Sequence, residues 1–374
     1  MIMSLTNIER IQADERFSEL DALLITKPEN LLYCLGFKIE SDTLILIPNL
    51  EHKDQIEKTI VFLNALEYDQ AEMNIKNDKA LSSKVEIREI PSGKPQFVEK
   101  TIKKMKLDKV GFEEEYIPVK KHEEWRVKFK IDNFTGASAI ITKARLTKTT
   151  KEIERMEKAC KLGDIGFKTI YESIEEGMTE VELAAEAEYA MRKAGAEGTS
   201  FPTIVATGER SAFPHAKTSD KKKVKNGDII LIDIGARYDG YCSDLTRTFM
   251  FGKQDQDKAR LINLVNEVQE STINQIEIGM KCIDADKIAR DLFIQKSKEW
   301  GSRFIHSLGH GVGIDIHENP YLSPISEETI EENMVFTVEP GLYIPGLGGA
   351  RTEDLVIIQK DGIKHLTRAE KFYY

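Results

Sequence analysis

The sequence predicts an α/β domain followed by a larger α+β domain, and three observations point to this fold class. Short apolar runs alternate with charged helical stretches over roughly the first 145 residues, which is typical of an α/β domain. From about residue 150 onward, two helices followed by a pair of strands occur twice. A chain of 374 residues is also long enough for two domains at roughly 100 to 200 residues each.

The N-terminal part shows the alternation directly. Runs rich in Val, Ile and Leu predict strands, and stretches with apolar residues at helical spacing predict helices. The predicted strands are 21–26, 43–48, 85–90 and 109–113. The predicted helices are 8–20, 52–66 and 97–106. This part contains no phosphate-binding loop or other ligand motif, so its sequence predicts no chemistry.

A domain boundary is predicted near residue 145, which gives an N-terminal domain of 1–145 and a C-terminal domain of 146–374. Thr149 and Glu152 form a capping-box pattern that marks the start of a helix just beyond it. The predicted C-terminal helices are 150–175, 179–195, 254–277 and 283–300. The predicted C-terminal strands are 201–206, 229–250, 304–308 and 334–358. The repeated order predicts two pseudo-equivalent halves that face each other.

Composition narrows the functional classes. The formal net charge is −10, and an acidic chain is a poor candidate for nucleic-acid binding, which needs a basic surface. No apolar run approaches the ~18 residues of a membrane span, and the N-terminus lacks the apolar region of a signal peptide. The four cysteines are widely spaced and form no metal-binding pattern. We therefore expect a cytoplasmic protein with reduced thiols that binds neither nucleic acid nor a membrane.

One hairpin places two aspartates close together. Asp239-Gly240 is typical of a two-residue hairpin turn. The resulting register pairs Tyr238 with Tyr241, Gly235 with Asp244, and Asp233 with Thr246. Asp233 and Asp244 are then diagonal neighbours on one face, at roughly 7–8 Å between backbones. Because Gly235 has no side chain, both carboxylates can approach one point.

Two explanations of the aspartate pair stay open at this stage. In a structural explanation, one aspartate pairs with Arg237 or Arg247 and the other caps a turn, which offsets the cost of burying like charges. In a functional explanation, the two carboxylates bind a metal ion. The rest of the chain favours metal binding, because Glu339 ends a second apolar strand and Glu353 begins a third.

A glycine-rich segment with histidines lies between the two pairs of acids. His310 is flanked by Gly309 and Gly311, which argues against a zinc-binding helix and for a tight loop whose backbone approaches a neighbour closely. Four carboxylates and one imidazole suit a pair of divalent cations of the manganese, cobalt or iron type better than a structural zinc, which prefers thiolates. The sequence therefore predicts a dinuclear metal site.

Four motifs follow one another in the C-terminal part: IDIGARYDGYCSDLTRT, SLGHGVGIDIHE, VEPG and RTED, preceded by SFPTIVATGERSAFPHA. They resemble the motifs of the pita-bread metallopeptidases, family M24, and above all those of its Xaa-Pro dipeptidase (prolidase) and Xaa-Pro aminopeptidase branch. The N-terminal YCLGF resembles a short signature of the same family. The resemblance implies an α+β pita-bread catalytic domain preceded by an α/β creatinase-like domain.

The resemblance also implies roles for individual residues. The metal ligands matched by position are Asp233, Asp244, His310, Glu339 and Glu353. Glu339 also matches a general base that takes a proton from the attacking water. His215 matches a histidine near the substrate, His317 matches one that stabilises the oxyanion, and His306 matches another histidine that accompanies it. Arg351 matches an arginine that orients the acidic ligands.

By this resemblance the protein is an Xaa-Pro dipeptidase that hydrolyses the bond between an N-terminal residue and proline. It implies two divalent metal ions per subunit, with Mn²⁺ or Co²⁺ favoured and Fe²⁺ or Zn²⁺ as alternatives, and a homodimer. The expected substrates are Xaa-Pro dipeptides or peptides with proline at the second position. Tyr321 stands where family dipeptidases commonly carry an arginine for the free carboxylate. Two alternatives therefore stay open: an Xaa-Pro aminopeptidase acting on longer peptides, and a non-catalytic peptide- or protein-binding module.

Overall fold

The computed structural model describes residues 5–49, 58–90, 96–131 and 133–374. The chain divides into two units, Met1–Arg145 and Leu146–Tyr374. Within the described residues, no helix has both the length and the apolar character needed to span a bilayer. All four cysteines are free and buried.

A mixed sheet forms the centre of the first unit. Its strands are β1 Ala22–Ile25, β2 Leu44–Pro48, β3 Thr59–Leu63, β4 Val85–Glu89, β5 Lys109–Phe112 and β6 Asn133–Gly136. They lie in the order β4-β3-β2-β1-β5-β6. The helices of this unit are α1 Asn7–Gln12, α2 Pro28–Leu35, α3 Ala65–Asn77, α4 Lys79–Lys84, α5 Gln96–Lys104, α6 Val119–Phe129 and α7 Ser138–Leu146. Apolar side chains of the sheet, α5 and α6 share one core, which confirms the predicted α/β class.

The predicted helix 52–66 is wrong in the part that the structure describes. Residues 59–63 form strand β3, and α3 begins at Ala65, while 52–57 lie outside the described residues. All five positions of β3 are buried, so both faces of this central strand, which lies between β2 and β4, are covered. A strand covered on both faces is apolar throughout and lacks the alternation that would distinguish it from a buried helix.

The other N-terminal predictions hold with shifted ends. The strands predicted from residues 21, 43, 85 and 109 are β1, β2, β4 and β5, and the helix predicted from residue 97 is α5. The predicted helix 8–20 is divided, because α1 ends at Gln12 and a 3-10 turn follows over Glu15–Glu19. Asp14 caps that turn by accepting a hydrogen bond from the backbone N–H of Arg16. The sequence analysis did not predict α2, α3, α4, α6, α7 or β6.

Four long helices and a set of short strands make up the second unit. The helices are α8 Thr150–Ser173, α9 Glu180–Lys193, α10 Gln256–Ile273 and α11 Cys282–Lys296. The strands up to α10 are β7 Gly198–Thr199, β8 Ile204–Thr207, β9 Ile229–Ile234, β10 Ala236–Tyr238, β11 Tyr241–Cys242 and β12 Leu245–Met250. The later strands are β13 Gly309–Gly311, β14 Glu318–Leu322, β15 Val335–Val338, β16 Gly341–Ile344, β17 Gly348–Arg351, β18 Asp354–Gln359 and β19 Gly362–His365.

The second unit has two halves of similar construction. In the first half, α8 and α9 pack on the sheet β12-β9-β8 around one apolar core. In the second half, α10 and α11 pack around another core on the sheet β14-β13-β15-β18-β19 and the hairpin β16-β17. This repeated helix-pair and sheet arrangement agrees with the predicted α+β class, and the polar residues of interest lie where the halves meet.

The predicted strand 304–308 is wrong, because this segment is irregular and the strand begins at Gly309. Side chains of α11 bind part of its backbone, and strand pairing begins only at Leu308, whose N–H also donates to Leu322 O on β14 at 2.9 Å. Arg290 donates to the carbonyl oxygens of Phe304 and His306, at 3.1 and 2.6 Å, and Asp286 accepts from the N–H of Leu308 at 3.0 Å. The carbonyl groups of Phe304 and His306, satisfied in this way, do not need a partner strand.

Candidate metal centre

The hairpin β9–β12 carries the two aspartates. Its register pairs Asp233 with Thr246 and Tyr238 with Tyr241, which confirms the predicted pairing. Asp233 lies within β9, and Asp244 directly precedes β12. A Cβ atom on Gly235 would come within 2.9 Å of the Ser200 hydroxyl. The absence of a side chain there keeps the hairpin closely packed beside the aspartates.

The second half contributes three further acidic or imidazole side chains. His310 lies on β13, Glu339 directly follows β15, and Glu353 lies between β17 and β18. The backbone N–H of Glu353 donates to the carbonyl oxygen of Thr246 at 3.1 Å. This bridge joins β12 to the second half, and it brings the acids of the two halves together.

His310 is on a strand and not in the loop that its glycine neighbours predicted. The prediction of a close backbone approach nevertheless holds. A Cβ atom on Gly309 would meet the backbone carbonyl group of Thr337, and one on Gly311 would meet the carbonyl group of Asn319. The glycines are therefore used for close packing between strands.

Three side chains converge tightly enough to hold one metal ion. Asp244, His310 and Glu353 each offer a ligand atom, and these three atoms lie within 4.8 Å of one another. His310 Nε2 also lies 3.3 Å from Glu339 Oε1 and 3.6 Å from Asp244 Oδ2. Carboxylate oxygens with an imidazole nitrogen form a donor set that divalent transition metals prefer.

Asp233 differs from the other four candidate ligands in its hydrogen bonds. Its Oδ2 accepts a hydrogen bond from Arg351 Nη2 at 2.6 Å. Its Oδ1 is buried and has no hydrogen-bond partner among the described residues. A buried carboxylate oxygen without a partner is costly, and a cation would satisfy it. The structural explanation of the aspartate pair named other arginines, whereas Arg247 pairs with Asp354 at 2.6 Å.

Two threonines orient the glutamates. Thr246 Oγ1 donates to Glu353 Oε2 at 2.6 Å, and Thr337 Oγ1 donates to Glu339 Oε1 at 3.0 Å. Each hydroxyl fixes one carboxylate oxygen and leaves the other free to bind a ligand. The sequence analysis did not single out either threonine, although the hairpin register already placed Thr246 opposite Asp233.

The carboxylates of the cluster repel one another when no cation is present. Burial, and then the charge of Glu353, raises the pKa of Asp244 well above its ordinary value. Burial, and then the charge of Glu339, raises the pKa of Glu353 in the same direction. Burial raises the pKa of Glu339 to about 7, although Arg351 acts in the opposite direction. A divalent cation would favour the ionised form of all these groups.

His310 presents a nitrogen lone pair to the carboxylates. Burial lowers its pKa, so the imidazole is neutral at neutral pH. His310 Nδ1 lies 3.1 Å from the carbonyl oxygen of Gly311, and a carbonyl can only accept. The proton is therefore assigned to Nδ1, which leaves Nε2 unprotonated on the side of Asp244 and Glu339. A hydrogen bond of this kind fixes the tautomer of metal-binding histidines.

A chain of hydrogen bonds links His306 to Arg351. His306 Nδ1 lies 2.8 Å from the carbonyl oxygen of Ser307 and therefore carries the proton. His306 Nε2 lies 3.0 Å from the Tyr343 hydroxyl, which in turn accepts from Arg351 Nη1 at 2.8 Å. Burial lowers the pKa of His306 to about 4, and Arg351 acts in the same direction. His306 is thus a neutral acceptor for Tyr343, which sequence reasoning had no signal to identify.

The other two predicted histidines are exposed at the rim of the cluster. The rings of His317 and His310 have centroids 4.2 Å apart and meet at 74°. His215 lies in the loop after β8, beside a cavity of about 470 Å³ that Phe213 also lines. Burial lowers the pKa of His317, and the charges of His310 and His215 act in the same direction.

Tyr321 lies on β14 directly opposite His310. Its side chain is 42 % exposed. Burial of the rest, together with the charges of Asp315 and Glu318, raises the pKa of its hydroxyl. Tyr321, which departs from the family pattern, thus places a neutral, partly exposed phenol beside the candidate metal ligands.

The chain resembles known proteins along most of its length, which confirms the resemblance seen in its motifs. The model of metallopeptidase family M24 matches residues 154–360, and the model of the creatinase/prolidase N-terminal domain matches residues 7–147. An Xaa-Pro dipeptidase of Pyrococcus horikoshii is 36% identical over 355 residues, which are 95% of this chain and 94% of the relative.

Solved structures agree with the sequence relatives. An Xaa-Pro dipeptidase from Bacillus anthracis has a TM-score of 0.88 at 33% identity, and the match covers 98% of each chain. An X-Pro aminopeptidase from Thermotoga maritima has a TM-score of 0.85 at 34% identity, over 96% of this chain and 99% of the other. The two likenesses are similar in strength, and both place the chain among proline-specific peptidases of this fold.

Proposed function

We propose that this chain, which belongs to metallopeptidase family M24, hydrolyses the peptide bond between an N-terminal residue and proline, as an Xaa-Pro dipeptidase. The observation that carries the proposal is the convergence of Asp244, His310 and Glu353 ligand atoms within 4.8 Å. Glu339 beside His310 and the unpartnered oxygen of Asp233 complete the set. Relatives named Xaa-Pro dipeptidase support the choice of substrate.

We propose that two divalent cations per subunit bind here, held by Asp233, Asp244, His310, Glu339 and Glu353. Oxygen-rich sites with one imidazole favour Mn²⁺ or Co²⁺, and Fe²⁺ or Zn²⁺ also suit such ligands. When bound, such a pair lowers the pKa of a water molecule and polarises the scissile carbonyl group. The buried like charges of the carboxylates support the presence of cations, because nothing else among the described residues neutralises them all.

Glu339 is the proposed general base. Without cations, burial raises its pKa to about 7; bound cations would lower that pKa and keep the carboxylate ionised, so that it can accept a proton. Thr337 holds one of its oxygens at 3.0 Å. The other oxygen remains available to accept the proton of the attacking water.

The three histidines and Arg351 assist in different ways. His317 and His215 lie exposed at the rim and can donate hydrogen bonds to the substrate and to the developing oxyanion. His306 acts indirectly, through its hydrogen bond to Tyr343. Arg351 holds Asp233 at 2.6 Å and orients its free oxygen.

The length of the substrate is the open question at this site. A dipeptidase must bind a free carboxylate directly after proline, and a guanidinium suits that role. Tyr321 cannot pair with a carboxylate in that way, which favours an Xaa-Pro aminopeptidase acting on longer peptides as the second candidate. The likeness to the Thermotoga maritima aminopeptidase also supports it. A non-catalytic peptide- or protein-binding module is a third candidate, and the full set of ligands counts against it.

Hydrolysis of Ala-Pro beside Ala-Pro-Ala tests these candidates, first after metal removal and again with added Mn²⁺ or Co²⁺. Metal-dependent cleavage of Ala-Pro supports the dipeptidase, and cleavage mainly of Ala-Pro-Ala supports the aminopeptidase. Tyr321→Arg should then shift the preference toward Ala-Pro, whereas the matched Tyr321→Phe should not. Cleavage of neither peptide with any metal would refute both enzymes and favour the binding module.

We further propose that 1–145 and 146–374 are separate domains, that the protein is a homodimer, and that it is cytoplasmic. The two units and the separate family matches support the domain bounds. The buried free cysteines are typical of a reducing compartment. Light scattering on the purified protein tests the dimer, and a monomer at micromolar concentration would refute it.

A further inference from the structure

Several hydrogen-bond donors converge on the buried carboxylate of Glu180, the first residue of α9. Its side chain is 0 % exposed. Glu180 Oε1 accepts from the backbone N–H of Thr207 at 2.9 Å and from its hydroxyl at 3.1 Å. Glu180 Oε2 accepts from the N–H of Ser219 at 2.9 Å. Arg210 Nε lies 3.2 and 3.3 Å from the two oxygens.

These donors belong to the two ends and the first turn of a single loop, residues 208–218, which we name the His215 loop. Thr207 directly precedes the loop and Ser219 directly follows it. Inside the loop, Arg210 also donates to the carbonyl oxygen of Lys217. One carboxylate thus closes the loop at its base.

The carboxylate is not needed to cap its own helix. Thr179 and Glu182 already form a capping box, in which Thr179 Oγ1 accepts from Glu182 N–H at 3.2 Å and Glu182 Oε2 accepts from Thr179 N–H at 2.7 Å. The hydrogen bonds to Glu180 come from the residues at the base of the His215 loop instead. Glu180 therefore closes the loop and does not cap its helix.

Because the Glu180 carboxylate is buried, its hydrogen bonds tie its stability to the closed conformation of the His215 loop. A buried carboxylate is destabilising unless hydrogen bonds and a counter-charge compensate it. The compensation here is complete only when both ends of the loop meet at Glu180. The open forms of the loop are therefore disfavoured, and the loop is also held at Ser211, whose hydroxyl accepts from the N–H of Gly349 at 2.8 Å.

We propose that Glu180 is a positioning residue, which closes the His215 loop and thereby holds His215 beside the metal cluster. The proposal rests on the proposed function, because it concerns the use of His215 in peptide hydrolysis. Glu180 touches neither substrate nor metal in this account. It acts only through the loop. We therefore expect that the losses of kcat/KM caused by substitutions at Glu180 and at His215 are not additive.

Glu180→Gln is the test, with Glu182→Gln on the same helical turn as the matched control. The glutamine keeps one acceptor oxygen for Thr207, but its amide nitrogen cannot accept from Ser219 or Arg210. The measurements are Mn²⁺ affinity by calorimetry, kcat and KM on the cleaved Ala-Pro peptide, and hydrogen exchange of 208–219. Thermal melting reports whether each variant is folded.

Glu180→Gln should lower kcat and kcat/KM together by about 10- to 100-fold, because small displacements of a positioned group cost rates of this size. Mn²⁺ affinity should stay within about twofold, and the exchange of 208–219 should become faster. Glu182→Gln should change neither kcat/KM nor that exchange by more than about twofold. In a His215→Ala background, Glu180→Gln should cost less than about threefold further, since coupled residues are not additive.

Three results would each overturn the proposal: an unchanged kcat/KM, unchanged exchange of the loop, or an equal loss in the His215→Ala background. If Glu180→Gln does not fold, Thr218→Val replaces it. The Thr218 hydroxyl holds the end of the loop by donating to Thr203 O at 2.7 Å and accepting from Val205 N–H at 3.0 Å. A wild-type protein that cleaves neither peptide refutes the proposed function, whereas an active wild type with an unaffected variant refutes only the role of Glu180.

Discussion

At the scale of single residues, neighbouring charges decide what each acid of the metal centre can do. Glu353 and Asp354 are adjacent, and both are almost fully buried. Burial acts to raise the pKa of Asp354, but Arg247 outweighs it and holds that pKa well below the ordinary value. The pKa of Glu353 is raised instead. Asp354 therefore serves as a permanent structural anion, while Glu353 needs a cation to be ionised.

The environment of Glu339 predicts an unusual pH dependence of stability in the metal-free protein. Its folded pKa of about 7 lies above the ordinary value of 4.5. The folded state therefore holds more protons between these two values, and stability falls as pH rises through them. Glu339→Gln cannot ionise, so in EDTA it should be more stable than the wild type at pH 8 by on the order of 2 to 3 kcal/mol, and nearly equal to it at pH 5.

Urea unfolding at the two pH values measures this effect, with the exposed Glu331→Gln as control. The control should match the wild type at both pH values. With added Mn²⁺, the wild type should become more stable than Glu339→Gln, because only the wild type has the Glu339 carboxylate to bind the metal. A difference between Glu339→Gln and wild type that does not vary with pH would contradict the assignment.

At the scale of elements, the short strand β13 fixes the geometry of the centre. Gly309 packs directly on Thr337, whose hydroxyl accepts from the N–H of His310 and donates to Glu339, each at 3.0 Å. One threonine thus sets the distance between a candidate ligand and the candidate base. The strand packs in this way because Gly309 places no side chain against β15 and Gly311 places none against β14.

Gly309→Ala should disrupt this packing. The new Cβ would lie 2.8 Å from Thr337 Oγ1 and still closer to the carbonyl group of Thr337, which is backbone and cannot move away alone. We expect a loss of about 1 to 3 kcal/mol in the free energy of unfolding, and weaker Mn²⁺ binding. Chemical unfolding and calorimetry measure the two effects.

Gly198→Ala is the matched control for this substitution. The nearest atom to its new Cβ is the Arg192 guanidinium at 3.7 Å. Its stability should stay within about 0.5 kcal/mol of the wild type. Equal behaviour of the two alanine variants would contradict the proposed packing constraint.

At the scale of the whole molecule, all candidate ligands belong to the second unit, Leu146–Tyr374. Each half of that unit supplies part of the set, and the bridge between Thr246 and Glu353 joins the halves. A metal ion would therefore cross-link two halves that the chain builds separately. Its binding free energy should stabilise this unit first, because a ligand stabilises only the structure that binds it.

The two tryptophans allow this to be measured, because Trp125 lies in the core of the first unit and Trp300 in a core of the second. In Trp125→Phe, whose remaining reporter is Trp300, removal of metal with EDTA should lower the melting temperature seen by fluorescence. In Trp300→Phe, whose remaining reporter is Trp125, it should change little. Equal shifts in both variants would show that the two units unfold as one cooperative body.

The sequence alone determined the local features of this protein. The Asp239-Gly240 turn set the register that pairs Asp233 with Thr246, because a two-residue hairpin loop leaves one pairing. Both α8 and α9 begin at capping boxes that are visible as residue patterns, the first of them at Thr149. Motif order was also enough to identify the family and the candidate ligands, since those residue types and spacings are unusual in combination.

Only the tertiary structure decided how distant segments meet. Strand β3 could not be recognised from its sequence, because burial on both faces removes the alternation of a strand. Three sets of hydrogen bonds join separate segments of the chain. They link Thr246 with Glu353, Tyr343 with His306 and Arg351, and Glu180 with the His215 loop. Local patterns report local conformation, whereas these contacts depend on packing between distant segments, which no single segment encodes.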